Sequence, residues 1–187
     1  MSLHANAATA LRAWRPPTPE QAGLRDAFAR HLADHPDGMW RSCAPAHLTA
    51  SAAILDPPAR SILLVMHRKV GRWLQPGGHC EPSDATLAAA ALREAAEESG
   101  IAGLRMLPGI IQVDRHPAPC NPGVVDEHLD VRYAVIAPPG ARPIVSAESE
   151  EVRWFGWDAL PDGIEPTIVE MLLAARHRVD GTGRASG

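Results

Sequence analysis

The sequence predicts an α/β fold in which helices cover both faces of a mixed sheet. Three observations carry that prediction. Two strand-like segments, 47–56 and 61–68, come before a strongly helical stretch that ends in REAAEESG. Further strand-like segments follow at 104–114, 129–136 and 152–155, and a closing helix spans 166–179. The resulting order of two strands, a helix, several strands and a helix lacks the regular βαβ alternation of a doubly wound fold, so the sheet must be mixed.

Each element has a local reason. Thr18-Pro19-Glu20 is a helix start, with threonine at the N-cap and proline at the first helical position. That helix is expected to stop near residue 34, where His35 precedes Pro36 and Asp37-Gly38 follows. The segment SILLVMHR, 61–68, is apolar almost throughout, as a central strand should be. Lys69-Val70-Gly71 turns the chain towards the glycine pair at 77–78. Segment 116–125 is rich in proline and is expected to be loop, and SAESEE, 146–151, an acidic loop. Residues 1–43 are read as an N-terminal extension with one helix, 44–179 as the main domain and 180–187 as a disordered tail.

Composition excludes several function classes. The 187 residues are 45% hydrophobic, enough for a core, and no apolar run approaches the roughly 18 residues of a membrane span. A net charge of −4 offers no general attraction to nucleic acid or anionic lipid. Three cysteines make neither an even framework nor a CxxC pair, which favours a reduced, cytoplasmic setting.

The stretch PGGHCEPSDATLAAAALREAAEESGI, 76–101, carries the chemistry. With about 100° of turn per residue, Glu94, Glu97 and Glu98 share one side of the helix, beside an apolar arc of Leu87, Ala88, Ala91, Leu92 and Ala95. Acids here oppose the helix dipole by about 0.3–1 kcal/mol each. Glu94 and Glu98 also repel at i,i+4. A divalent cation would remove both penalties, because hard cations take carboxylate oxygens. The expected helix start is Ser83-Asp84.

These residues resemble the box of the Nudix hydrolases, G-x5-E-x7-R-E-U-x-E-E-x-G-U, where U is aliphatic. Gly78 supplies the first glycine, and Arg93 to Ile101 match the second half. Two departures stand out: Asp84 replaces the first glutamate, and eight residues rather than seven separate it from Arg93. Ala95 fills the first U position. The resemblance implies an α/β/α sandwich and Mg²⁺- or Mn²⁺-dependent attack of water on a phosphorus of a nucleoside diphosphate linked to another moiety. It implies Glu94, Glu97 and Glu98 as metal ligands, with the Gly77 carbonyl as a further oxygen and Arg93 as the group that orients the acids. The partner is then a small-molecule diphosphate, and a homodimer is common in the family.

Other residues carry open readings. The general base is either a box glutamate or a later acid, with Glu148, Glu150 and above all Glu151 as candidates, and Glu127 or His128 behind them. Arg68 and Arg72 are either a solvated hairpin tip or a phosphate-facing pair, and Gly78 and His79 are expected near the substrate phosphates. Trp73 or Tyr133 is either core or a base-stacking platform. His67, His79 and His116 match no zinc spacing. Two rival functions are an isopentenyl-diphosphate-isomerase-like enzyme using Cys80 or Cys120, and a nucleotide-sensing module without turnover.

Overall fold

A computed structural model describes residues 1–121, 124–147 and 149–184. Its elements are α1 Leu3–Ala13, α2 Pro19–Asp34, β1 Ala46–Leu55, β2 Ser61–His67, β3 Arg72–Leu74, β4 Gly77–His79, α3 Leu87–Ser99, β5 Arg105–Met106, β6 Gln112–Asn121, β7 Val124–Ile136, β8 Ser149–Gly156 and α4 Pro166–Arg184. The strands form one mixed sheet whose spine runs β3-β2-β1-β7-β5, with β4 on β1, β6 on β7 and β8 on β2. Only the β1–β7 pair is parallel among the described ladders.

Strand β1 is buried along its whole length, and its alternation sorts two layers. Leu48, Ala50, Ala52 and Ile54 face a core shared with Leu87, Ala91 and Ala95 of α3 and with Leu3, Leu11, Phe28 and Leu32 of the N-terminal helices. Ala53 and Leu55 face the other way, onto Ile168, Met171, Leu172 and Ala175 of α4. This is the helix–sheet–helix layering expected. The small residues of β1 let both helix layers approach one strand closely.

Four expectations need correction. The extension holds two helices, because Leu3, Ala7 and Leu11 recur at four-residue spacing behind a Ser2 cap and are buried. Segment 116–125 is strand over most of its length. Pro117 is tolerated because β6 is an edge strand paired only to β7. The outer edge of β6 is closed at Val113 by the Gln21 amide, which accepts from its N–H at 2.8 Å and donates to its carbonyl at 2.9 Å. Strand β8 begins at Ser149, so the acidic segment is partly ladder, and Glu148 lies outside the described residues. Helix α4 continues past 179 to Arg184.

Candidate active site

Helix α3 begins one turn later than expected. Thr86 is its N-cap, accepting from the Ala89 N–H at 3.0 Å, and Asn6 of α1 accepts from the Leu87 N–H at 3.2 Å. Gly100 ends the helix at φ 66°, a conformation that favours glycine.

Asp84 therefore does a different job from capping. Its carboxylate takes a two-pronged contact from Arg93, Nε to Oδ1 at 3.2 Å and Nη2 to Oδ2 at 3.0 Å, and also accepts from the Glu81 N–H. Arg93 reaches on to Glu94 at 2.9 Å, Glu97 at 3.1 Å and the His79 carbonyl at 2.9 Å. One guanidinium thus ties the loop, the glycine strand and the helix together. The hydrogen bonds it donates to Asp84 are the first cause holding Arg93 firmly in its charged form, and burial opposes them without prevailing. The inserted residue lies between Asp84 and Arg93 and does not part them.

The three glutamates sit in different surroundings. Glu98 is buried at 6% exposure, the Glu94 side chain is 14% exposed, and that of Glu97 is 59% exposed. The glycines explain how the loop comes so close. A Cβ on Gly78 would stand 2.8 Å from the Glu94 carboxylate carbon, and one on Gly77 would stand 2.2 Å from Ser51 Cβ. The cradle is thus hard-oxygen chemistry beside the half-buried backbone of the glycine pair, which suits a divalent cation of the magnesium type.

The remaining predicted residues are more scattered. Arg68 donates to the Ser149 carbonyl at 3.0 Å, and Arg72 is paired with Glu165 at 2.5 Å. Glu151 is half exposed on β8, opposite Met66 and 3.6 Å from Arg153. Glu127 is paired with Arg115. Tyr133 belongs to the core, and Trp73 meets the edge of Phe155 beneath Arg153. Burial pushes the Cys80 thiol up to about 12, so Cys80 is a protonated thiol at neutral pH. The Cys120 side chain lies outside the described residues.

On the α4 face of the sheet the sequence concealed a polar stripe. Arg132, 2% exposed, donates to Asp130, Asp114 and Gln112, each at 2.9 Å, and to the Thr167 carbonyl at 3.1 Å. Thr49 and Ser51 donate to Asp130, and His116 Nδ1 to Asp114. Beyond it lie four imidazoles, His47, His79, His116 and His128, with ring centroids about 5 Å apart. Burial, followed by the neighbouring histidines, lowers His79 to about 4 and His128 to about 3. Burial also pulls on His116, but its bond to Asp114 wins and raises it. His67 stands apart, accepting from the Val70 N–H.

Residues 45–174 match the NUDIX domain. The chain belongs to the Nudix family. Solved structures agree on the fold. An Ap4A hydrolase from C. elegans aligns at a TM-score of 0.58 and 17% identity, over 72% of this chain and 98% of that one. The NUDIX domain of Shewanella oneidensis NrtR, complexed with ADP ribose, gives 0.52 and 18%, over 81% and 97%. A MutT NUDIX hydrolase from Burkholderia pseudomallei gives 0.51 and 23%, over 69% and 97%. Comparison with curated proteins gives no match. As a Nudix hydrolase the protein acts on pyrophosphate bonds, in a family that generally uses divalent cations. The isomerase reading is not favoured. Among the described residues no helix is long and apolar enough to cross a membrane.

Proposed function

We propose that this Nudix hydrolase is Mg²⁺-dependent and cleaves a nucleoside diphosphate linked to another moiety. The observation that carries the reading is the junction of Gly78, Glu94 and Arg93. There a pair of glycines meets a carboxylate held by a guanidinium that also grips Asp84. Glu94, Glu97, Glu98 and the Gly77 carbonyl would hold the cation. Once bound, it shields the charge of the pyrophosphate so that water can approach phosphorus.

The chain's own groups do the positioning. Arg93 fixes the Glu94 and Glu97 carboxylates by charge-assisted hydrogen bonds and keeps the loop carbonyl of His79 in place. Glu98 is carried on the same helix in a largely dry setting, where interactions with a cation are less screened. Glu151 is the proposed proton acceptor for the attacking water, supported by its solvent-facing place on β8. Arg68 and Arg72, on the β2–β3 hairpin, are proposed to face the outer phosphate.

The test is a screen with Mg²⁺ across nucleoside triphosphates, nucleotide sugars, dinucleoside polyphosphates and ADP-ribose, read by product identity. The last two classes are named with the C. elegans and Shewanella relatives. Glu98→Gln is expected to melt like the native protein and to lose about 1,000-fold in turnover, on the order of 4 kcal/mol of barrier. Native-like turnover in that variant would remove Glu98 from the site.

A further inference from the structure

We propose that His47, His79 and His128 form a second metal site, a three-imidazole centre for a transition-metal ion of the zinc class, separate from the carboxylate face. One ligand atom from each of the three lies within 4.8 Å of the others. The residues are far apart in sequence, and the sheet brings them together. His47 is in register with His128 across the parallel β1–β7 pair, while β4 places His79 opposite Thr49, two residues along β1. Side chains two apart on a strand share a face, so all three project from the side of the sheet that carries Asp130 and Arg132.

The spacing suits the ion. His47 Nε2 and His79 Nε2 are 3.1 Å apart. Two nitrogens bound tetrahedrally at zinc–nitrogen distances of about 2.0–2.1 Å would stand roughly 3.3 Å apart. His47 is also oriented for the task. Its Nδ1 lies 3.3 Å from the Cys43 carbonyl, which can only accept, so the proton belongs on Nδ1 and the lone pair on Nε2. Three imidazoles without a carboxylate match the preference of zinc, cobalt, nickel and copper and are a poor set for magnesium. Three protein ligands leave a fourth position open for water or an anionic oxygen. His116 is the next ring in the row, edge-on to His128 at 5.4 Å and held by Asp114.

Strand β4 is thus shared by two centres of opposite chemical taste. The space that a side chain on Gly78 would fill is taken by the Glu94 carboxylate, and His79 turns the other way to the imidazoles. The competing account of the short nitrogen–nitrogen distance is a plain N–H···N bond between His47 and His79.

The experiment uses the full chain, stripped with a chelator and titrated with Zn²⁺ by calorimetry in excess Mg²⁺, so that the carboxylate face is already satisfied. One equivalent of zinc is expected to bind to the native protein. His79→Gln and His128→Asn are each expected to weaken it by about 100-fold or more, since losing a ligand should cost at least as much as losing an outer partner. Glu97→Gln and Cys43→Ser are expected to leave the affinity unchanged. Cys43 is included because it groups with His35 and Asp37 in a neighbouring cluster. The native protein loaded with Co²⁺ should show the visible bands of a tetrahedral nitrogen-ligated ion without a thiolate charge-transfer band, a readout that needs no variant to fold. Absence of zinc binding, unchanged affinity in folded His79→Gln and His128→Asn, or a thiolate band would overturn the site. Because the readout is binding, its failure would leave the hydrolase assignment untouched, and loss of hydrolysis would leave this site untouched.

Discussion

The carboxylates of α3 and the imidazoles of the sheet lie on opposite sides of a three-residue strand and were assembled in opposite ways. The acids come from one helix, where four- and three-residue spacing alone sets who is neighbour to whom. The imidazoles come from residues 47, 79, 116 and 128, and only strand register makes them adjacent. The first grouping survives any change that keeps the helix. The second depends on β1, β4, β6 and β7 all keeping their alignment, because a slip of one residue would turn each side chain to the other face.

The sharpest way to break the imidazole side without touching the acids is Arg132→Leu. It would strip a fully buried cation from two carboxylates, and losing one partner of a buried network costs on the order of 3–5 kcal/mol. Denaturant melts are expected to show that loss, and a stability unchanged from the native protein would mean the network is not holding the stripe.

The glycine pair offers a finer cut. Gly77→Ala drives a methyl into Ser51 Cβ and Cα, at 2.2 and 2.7 Å, which β1 cannot easily yield, so a loss of about 1–3 kcal/mol in stability is expected. Gly78→Ala meets only the movable end of Glu94. Stability should hold while turnover drops by about 10- to 100-fold, roughly 1.4–2.7 kcal/mol of barrier. If melting and turnover respond alike in both variants, the strand does not separate two environments as described.

The smallest effect is expected at Cys80. Its thiol is buried and raised to about 12, so a thiolate-seeking reagent at neutral pH should leave it unmodified in the native protein and label it after unfolding. Fast labelling of the native protein would contradict that burial.

What the sequence made legible follows the same division. The box could be read because its spacing is local: Arg93 meets Glu94 and Glu97 on one helix, Glu98 follows on the same helix, and Gly100 marks the stop. The layered fold could be read because β2 is an apolar run bounded by turns and strand-like segments flank the box helix. Asp84 is harder to read, since an acid that pairs with an arginine nine positions on looks in sequence like a cap. Segment 116–125 reads as loop in the sequence because proline signals loop unless the strand is an edge, and edges are a property of the sheet. The Arg132 network was only half legible for a related reason: DVRY puts Asp130 on the face of Arg132, but nothing in it says that Asp114 of a neighbouring strand lies there too. Helix α1 does carry a signal in the sequence, a serine cap and leucines at positions 3 and 11 around Ala7, but a short one.

The hydrogen bond from the Leu87 N–H to Asn6 has a practical side. The first backbone donor of the box helix is met by a residue about eighty positions upstream, and Leu3, Leu11, Phe28 and Leu32 fill the same core as Leu87. The match to the NUDIX domain starts at 45, while the core beneath the box helix reaches back to Leu3, so the two have different borders in this chain. A fragment trimmed to the matched domain would carry every residue of the box and still lack the floor on which the box helix rests.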